Sequence, residues 1–172
     1  MVAISARQLL VRFRRLLSGL DVTEAQIFLD ILVRMDVDSG EVVVRAADRG
    51  DALHLVWEGR VAFFKEYRGR ELCLGSLGSG RFFGSEQIVT PAAEPTTVRT
   101  IERTVLLRLN NESLETLGEK FPRLSSNLLR ALSRDMVGWL RTFESYMSQR
   151  VLPNDLDECV AVIRKLRRLG EV

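Results

Sequence analysis

The single histidine of this 172-residue sequence, His54, limits the chemistry that the chain can support. Most metal centres need several converging ligands, and most nucleophilic or general-base sites need a histidine close to a partner residue. His54 lies in an alternating run that is typical of a strand, so we interpret it as a packed or surface histidine. The sequence therefore predicts no catalytic residue, no metal ligand and no bound cofactor.

Other reactive patterns are incomplete as well. Cys73 and Cys159 are far apart and form no CxxC pair, which indicates reduced thiols in a cytoplasmic protein rather than a disulfide. The four glycines between Gly75 and Gly84 lack the Gly-Lys-Ser/Thr end of a phosphate-binding loop, so we interpret them as turn residues. These patterns give no support for an enzyme.

The composition is that of one folded domain with appendages. Hydrophobic residues make up 46% and charged residues 28% of the sequence, and 25 basic against 23 acidic residues leave a net charge of +2. A net charge this close to zero does not favour a general polyanion binder. Residues 1–20 carry four arginines at helical spacing, which indicates a packed amphipathic helix rather than a signal peptide. No window has the roughly 20 apolar residues that a membrane-spanning helix requires.

Hydrophobic periodicity divides the chain into three zones. Apolar residues recur every three or four positions across residues 3–36, which predicts two helices, the second with a capping box at Thr23 and Gln26. Short β-branched or aromatic runs separated by turn residues then predict a sandwich or barrel, with strands at 42–44, 53–57, 61–64, 72–74, 96–100 and 105–109. Next, Asn111 is placed to cap a short helix that ends near Lys120, and Pro122 to begin a long one.

The long helix carries an apolar seam. Its members repeat in alternating steps of three and four: Leu129, Leu132, Met136, Trp139, Phe143 and Tyr146. This spacing, with a second flank at Leu128, Leu140 and Met147, predicts a parallel two-fold homodimer in which the long helices meet. One further amphipathic helix is predicted after Pro153, and its basic residues are expected to form a solvated face.

The order of these elements, together with four runs of residues, resembles the cyclic nucleotide-binding domains of the bacterial cAMP receptor family. The run GDALHLVWEGRV at 50–61 matches the family's Gly-Asp, apolar strand and Gly-x-Val, and LGSGRFFG at 77–84, TVRT at 97–100 and FPRL at 121–124 continue in register. The resemblance implies an α+β fold. It has N-terminal helices (1–36), a β jelly roll with a short helix (37–120), a long C-terminal dimerisation helix (121–152) and a last helix (153–172).

In that family a short cassette between two strands holds the ligand. A Gly-Glu pair contacts the ribose, and an Arg followed by a small residue holds the phosphate through charge and a backbone N–H. The resemblance places the cassette at 83–98, where Glu94 stands at the Arg position and Pro95 has no N–H to donate. Ser85 follows Gly84 directly, which displaces the acid to Glu86. The candidate ligand-pocket residues are Phe83, Gly84, Ser85, Glu86, Glu94, Pro95, Thr96, Thr97 and Arg99.

These departures lead to two functional hypotheses. The first is a regulatory module that does not bind cAMP or cGMP in the usual pose and acts through contacts with another protein. The second is a small-molecule sensor whose pocket is rebuilt for a cyclic nucleotide or cyclic dinucleotide, although strand and turn roles explain the residues it would use: Arg81, Thr96, Thr97 and Arg99. The family's transcription factors place a winged helix-turn-helix after the long helix, and the roughly 20 residues after Pro153 are too few for one. We therefore expect DNA binding only if the sequence is a fragment of a longer protein.

Overall fold

Two short helices begin the part of the chain that the computed structural model describes, which is residues 4–150 for the backbone and 4–145 for side chains. Helix α1 spans Ala6–Arg12 and helix α2 spans Val22–Asp30. The capping box of α2 is formed by Asp21 and Glu24, so the predicted box at Thr23 and Gln26 is wrong. Asp is at least as good an N-cap as Thr, and Asp21 stands where it can accept the backbone N–H of Glu24.

The first strand lies in a segment that the periodicity assigned to helix. Strand β1 spans Val33–Val37 and pairs antiparallel with the last strand of the domain, from Val33 opposite Arg108 to Val37 opposite Thr104. The helical prediction through Ile31 and Leu32 is therefore too long, because α2 ends at Asp30. Pairing with a distant strand is a tertiary effect that local periodicity does not report.

The predicted strands and the helices after them occur in the predicted order, together with four short elements that were not predicted. They are β2 (Val42–Val44), β3 (Arg49–Gly50), β4 (Ala52–Glu58), β5 (Arg60–Tyr67), β6 (Arg70–Gly78), β7 (Phe82–Phe83), α3 (Ser85–Val89), β8 (Ala92–Ala93), β9 (Thr97–Thr100), β10 (Thr104–Asn110), α4 (Asn111–Lys120) and α5 (Pro122–Arg150). Sheet A has the order β1-β10-β4-β7, sheet B has the order β2-β9-β5-β6, and β3 pairs with β8. All these pairs are antiparallel. The α+β jelly-roll prediction is confirmed.

The core forms where the inner faces of the two sheets meet. Val56 and Leu106 from sheet A pack with Val61 and Val98 from sheet B, and Phe83 closes the cluster. Side chains alternate between the faces of a strand, so these residues also define which of their neighbours point inward. That alternation decides which predicted pocket residues can reach the interior.

Strand β6 extends well beyond the predicted run at 72–74. It continues to Gly78, so Gly75 and Gly78 are strand residues and not the turn residues that we expected. The β5–β6 register shifts between Phe63 and Phe64, opposite Gly75 and Cys73. Such an irregularity is where a glycine inside a strand is normally found. Cys73 lies beside it as an exposed free thiol.

Helices α4 and α5 follow the last strand. The N-cap of α4 is Asn110, whose side chain accepts the N–H of Ser113, so the predicted cap at Asn111 is one residue late. Pro122 begins α5, as predicted. None of the helices in residues 4–150 has a long enough apolar stretch to cross a membrane.

The chain divides into two compact units between Ser133 and Arg134, within α5. In the first unit Leu128 and Leu132 are fully buried. Leu132 therefore belongs to the core, and its prediction as a seam residue is wrong, because a side chain buried in its own chain cannot face a partner. Leu129, four residues before Ser133, is exposed.

The second unit carries the rest of the predicted seam. Trp139 stacks on Phe143 with ring centroids 5.8 Å apart, and both side chains are exposed, as are Val137 and Leu140. Met136 is half-buried. The side chains of Tyr146 and Met147, Cys159 and the helix predicted after Pro153 lie outside the described residues.

Candidate functional site

The cassette begins with a glycine that no other residue could replace without strain. Gly84 follows β7 and precedes α3 in the left-handed conformation, with φ +86° and ψ 22°. A Cβ at this position would collide with the carbonyl oxygen of Ala52. The lack of a side chain thus lets α3 turn back against β4, and this sets the position of the acidic residues that follow.

The first acid after Gly84, Glu86, faces away from the body of the domain. Ser85 is the first residue of α3, and Glu86, on its first turn, is exposed. Gln87 and Ile88 are the buried residues of this helix. The structure therefore turns Gln87, and not Glu86, toward the body of the domain.

Glu94 is held tightly by its backbone. Its N–H donates to the carbonyl oxygen of Asp48 at 2.8 Å, and its own carbonyl accepts the N–H of Ala47 at 3.0 Å. Its half-buried carboxyl group lies directly against the Cα of Gly50, where a Cβ would collide with both Glu94 and Gln87. The Gly50 position is therefore small because the Glu94 side chain fills the space beside it.

The charge of Glu94 is poorly compensated. Burial raises the pKa of its carboxyl group, and repulsion from Glu86 and from Asp51 raises it further. Among the residues that the structure describes, neither Glu86 nor Glu94 takes part in an ion pair. We call Asp51, Glu86 and Glu94 the carboxylate cluster.

Two predicted pocket residues lie on the outer face of sheet B. Val98 points into the core, so its neighbours Thr97 and Arg99 point outward. Arg99 forms a bidentate ion pair with Glu71, at 3.2 and 2.9 Å, and its guanidinium group lies 4.6 Å from the centroid of the Phe64 ring. Arg99 and Thr97, two of the predicted pocket residues, therefore lie on the face of β9 opposite the core.

The remaining cassette residues are placed as follows. Thr97 Oγ1 accepts the backbone N–H of Ala46 at 3.1 Å, which fixes the start of β9. Pro95 is exposed, and Thr96 is half-buried beside it. Phe83 is buried in the core. Of the predicted set, the structure thus places only Glu94 against Gly50, whereas Gly84 lies against Ala52 and Glu86 is exposed.

Sequence reasoning missed two members, Arg108 and His54, of a row of side chains on the inner face of sheet A. Arg108 stands opposite His54, and His54 stands opposite Phe83, across three neighbouring strands. Arg108 donates to Asp51 at 2.9 Å. An arginine in the otherwise apolar strand β10, on the same face as Leu106, was the available signal. We call Arg108, His54 and Phe83 the inner row.

His54 is the least satisfied polar residue of the inner row. Its side chain is 5% exposed and its ring stacks on Phe83 with centroids 4.8 Å apart. Its Nδ1 atom is buried without a hydrogen-bond partner. Burial, and secondarily the charge of Arg108, lower the pKa of His54 to about 4, so the ring is neutral near pH 7. It is a packed histidine, as we interpreted it from the sequence.

The acidic and histidine side chains do not form a metal site. Within residues 4–145, no group of three or more His, Cys, Asp or Glu side chains could hold a metal ion. What the site offers is a set of hydrogen-bond acceptors, one ion-paired arginine and a neutral imidazole.

Comparison with known proteins agrees with this architecture. The family model described as "Cyclic nucleotide-binding domain" matches residues 34–121. The Cyclic AMP receptor protein of Thermus thermophilus is 30% identical over 120 residues, which cover 69% of this chain and 56% of that protein. The "Lysophospholipase nte1" of Aspergillus fumigatus is 29% identical over 107 residues, and the match spans only 7% of its length.

Solved structures show the same fold. The Catabolite Activator Protein of Thermus thermophilus superimposes with a TM-score of 0.65 and 27% identity, over 76% of this chain and 62% of that one. The N-terminal domain of a transcriptional regulator from Streptomyces coelicolor gives a TM-score of 0.69 and 24% identity, over 80% of this chain and 94% of that one.

Proposed function

This chain belongs to the cyclic nucleotide-binding domain family, and we propose that it is a non-enzymatic regulatory module that does not take the phosphate of cAMP or cGMP in the usual pose. It acts instead through contacts with another protein. The observation that carries this proposal is Glu94. At the position where the resemblance places a phosphate-binding arginine, the chain has a half-buried carboxyl group whose pKa is raised by burial and by two other acids.

The sign of the local charge supports this proposal. A charge-assisted hydrogen bond contributes roughly 1.5 to 3 kcal/mol, and replacing the arginine by a carboxylate removes that bond and adds repulsion. Since each tenfold in Kd corresponds to about 1.4 kcal/mol, the affinity for a cyclic nucleotide falls by at least about tenfold. Pro95 then removes the backbone N–H that would follow.

Arg81, Arg99 and Arg108 do not replace the missing arginine. Arg99 is ion-paired on the outer face of sheet B, and Arg108 is bonded to Asp51. Arg81 is exposed before β7. A phosphate at the cassette would thus meet Glu94 without a compensating charge from these three arginines.

Calorimetric titration and thermal melting with cAMP and cGMP test the proposal. We expect no heat and no change in melting temperature at millimolar nucleotide. A ligand at one hundred times its Kd would stabilise the fold by about 2.7 kcal/mol, which a melting curve reports readily. Nucleotide-dependent stabilisation of the wild-type protein would contradict the proposal.

A gain-of-binding variant provides the complementary experiment. Glu94→Arg combined with Pro95→Ser restores both the charge and the N–H, and we expect it to create measurable affinity for cAMP. The matched control is Glu115→Arg on α4, which changes the net charge equally but lies outside the cassette. Equal responses of the two proteins would show that a general charge effect, and not the cassette, is responsible.

The proposal includes a parallel homodimer formed through the second half of α5. Its support is the exposed apolar surface of Trp139, Phe143, Val137 and Leu140, at the spacing of a helical seam. Phe143→Glu would bury an unpaired charge in such an interface and should yield monomers, whereas Arg141→Glu, at an exposed neighbouring position, should not. Sedimentation of the wild-type protein as a monomer at micromolar concentration would argue against the dimer.

A second candidate function, a small-molecule sensor, is favoured by one observation. A buried histidine nitrogen without a partner is unusual, because buried polar atoms are normally hydrogen-bonded. A ligand that bonds to His54 would satisfy it. The same nucleotide titrations separate this function from a module that acts through protein contacts alone.

A further inference from the structure

Sheet B has one long open edge. Strand β6 is its outermost strand and pairs with β5 alone, and within the described residues no strand lies along its other side. The strand has nine residues, whereas the other sheet edges, β1, β2 and β7, have five, three and two. Every side chain from Arg70 to Ser76 is exposed. Such an edge presents a row of unpaired N–H and C=O groups to which another strand can bond.

Strand β6 lacks most of the features that protect an edge strand from pairing. Natural edge strands are commonly short, carry lysine or proline, or are covered by another element. This one contains neither lysine nor proline, and its two charged residues, Arg70 and Glu71, stand at its beginning. Farther along, 43% of Leu72 and 57% of Leu74 are exposed. An apolar edge of this composition is suited to pairing with a further strand.

One protective feature is present, and it limits how far pairing can extend. Phe63 stands opposite Gly75 and Phe64 opposite Cys73, so Leu74 is an extra residue in β6. A bulge of this kind bends the strand and increases its twist. Only a short stretch around it can therefore pair with a second strand. Because small interfaces are weak, the association is expected only at high protein concentration.

The stretch around the bulge is complementary to a second copy of itself. Antiparallel pairing about a two-fold axis at Cys73 places Leu72 of each copy opposite Leu74 of the other. Apolar side chains that face each other across two strands stabilise the pairing. Two exposed leucines in each chain would thus lose contact with water together.

The charged residues are compatible with the same register. With the axis at Cys73, Arg70 stands opposite Ser76 and Glu71 stands opposite Gly75. The space beside Gly75 is open, since a Cβ built there would have no atom within 4 Å. A parallel, in-register pairing would instead set each arginine and each glutamate against its own copy, and like charges directly opposite are destabilising. The antiparallel arrangement is therefore favoured.

We propose that β6 pairs antiparallel with β6 of a second copy of this chain, about a two-fold axis at Cys73, and so joins the two B sheets into one. This contact is separate from the α5 dimer and does not depend on the proposed function. A chain with two different two-fold interfaces can link into assemblies larger than a dimer. The short β6 contact adds to the assembly only at concentrations above those at which α5 pairs.

Thiol cross-linking at Cys73 tests the proposal. The parent protein carries Phe143→Glu, which removes the α5 interface, and Cys159→Ser, which leaves Cys73 as the only cysteine. At submillimolar protein, a short bismaleimide should join two chains, because the exposed thiols lie next to the axis. The matched control moves the thiol to α4, with Cys73→Ser and Glu115→Cys in the same background, and should cross-link much less. Equal yields would indicate random collision and overturn the proposal.

A charge on the edge should prevent the pairing. Leu74→Lys in the parent protein places a cation opposite Leu72 of the other copy, and should reduce the cross-linked yield to that of the α4 control. Val11→Lys makes the same change at an exposed position of α1, where 77% of the side chain is exposed, and should leave the yield unchanged. Both variants should keep the parent's melting temperature. A full yield with Leu74→Lys would contradict the proposed contact.

Hydrogen exchange distinguishes a second copy from other occupants of the edge. If two copies pair, the amides of residues 71–75 should exchange more slowly as the protein concentration rises. Protection that is the same at every concentration would mean that the edge is covered within a single chain, and exchange that stays fast would mean that it is not covered; either result overturns the proposal. The nucleotide titrations test the proposed function separately, so the failure of one leaves the other standing.

Discussion

The outer face of sheet B and the carboxylate cluster differ in how their charged groups are paired. On sheet B, Arg99 and Glu71 satisfy each other through two hydrogen bonds, and the guanidinium group stacks on Phe64. Beside Gly50, the half-buried carboxyl group of Glu94 has no ion-pair partner among the described residues, and Arg108 pairs with Asp51. The buried imidazole of His54 has an unpartnered nitrogen. The paired charges lie on the outer face of sheet B, whereas Glu94 is half-buried and His54 is buried.

The contrast shows that an arginine near a predicted site is not evidence for the site. Arg99 lies in the TVRT run that resembles the family, yet the alternation of strand β9 directs it away from the interior. The polar groups that remain available are those that the same alternation directs inward. Unsatisfied burial, rather than the presence of charge, is the better guide to a place where a ligand binds.

The largest expected effect on folding stability is the pH dependence that His54 contributes. Its pKa is lowered from 6.5 to about 4 in the folded protein, so the unfolded chain binds the proton more tightly between these values. Folded stability is therefore fully present above about pH 6.5 and is lost as the pH falls toward 4, by on the order of 3 kcal/mol. His54→Phe removes this pH-dependent contribution to the free energy of unfolding and keeps an aromatic ring to stack on Phe83. Urea unfolding across that pH range measures the difference.

The free energies of unfolding of the wild type and of His54→Phe should differ in their pH dependence only between about pH 6.5 and pH 4. If wild type and His54→Phe lose stability in parallel as the pH falls, the histidine titrates as it would in water, and the contrast between the two regions disappears.

A smaller pH dependence of folding stability, with the opposite sign, is expected from Glu94. Its pKa is raised above 4.5 on folding, so the folded protein holds the proton more tightly and stability decreases as the pH rises through that window. Glu94→Gln should be more stable than the wild type at neutral pH and should lack this slope. Thermal melting as a function of pH tests it, with Glu115→Gln as the matched control. A destabilised Glu94→Gln at neutral pH would mean that an unrecognised cation compensates the charge.

The smallest effect is expected at the satisfied pair. Arg99 and Glu71 are exposed enough for solvent and salt to screen them, and surface ion pairs contribute little. Arg99→Gln should lower the melting temperature only slightly, and the difference from the wild type should shrink at high salt. A loss of stability in Arg99→Gln as large as that predicted for His54 would show that the stacking on Phe64 stabilises the sheet. It would then be wrong that the exposed pair has the smallest effect on stability.

Most of the fold was predictable because its signals are local. The apolar run of β4, the turn at Gly59 and the proline at position 122 each act within a few residues, and the structure has the corresponding elements in order. Strand β1 and the extension of β6 were not predictable in this way. Their pairing partners lie on other strands, and register across a sheet leaves little trace in one segment.

The site was predictable only in part for a related reason. The family resemblance located Gly84 and Glu94, and the structure places Glu94 against Gly50 and Gly84 against Ala52. His54 and Arg108 were missed as site residues, because strand pairing, and not spacing along the chain, brings them together. Leu132 was misassigned since helical spacing does not tell a core position from an interface position.

The pairing of β1 with β10 also determines when the domain can fold. Strand β1 can pair only when β10 is available, since Val33 lies opposite Arg108. The β5–β6 hairpin, in contrast, forms from residues that are close in sequence. Contacts between residues far apart in sequence slow folding, because the loop between them must be ordered first. During synthesis the hairpin is therefore available early, and the inner row is assembled only when β10 has left the ribosome.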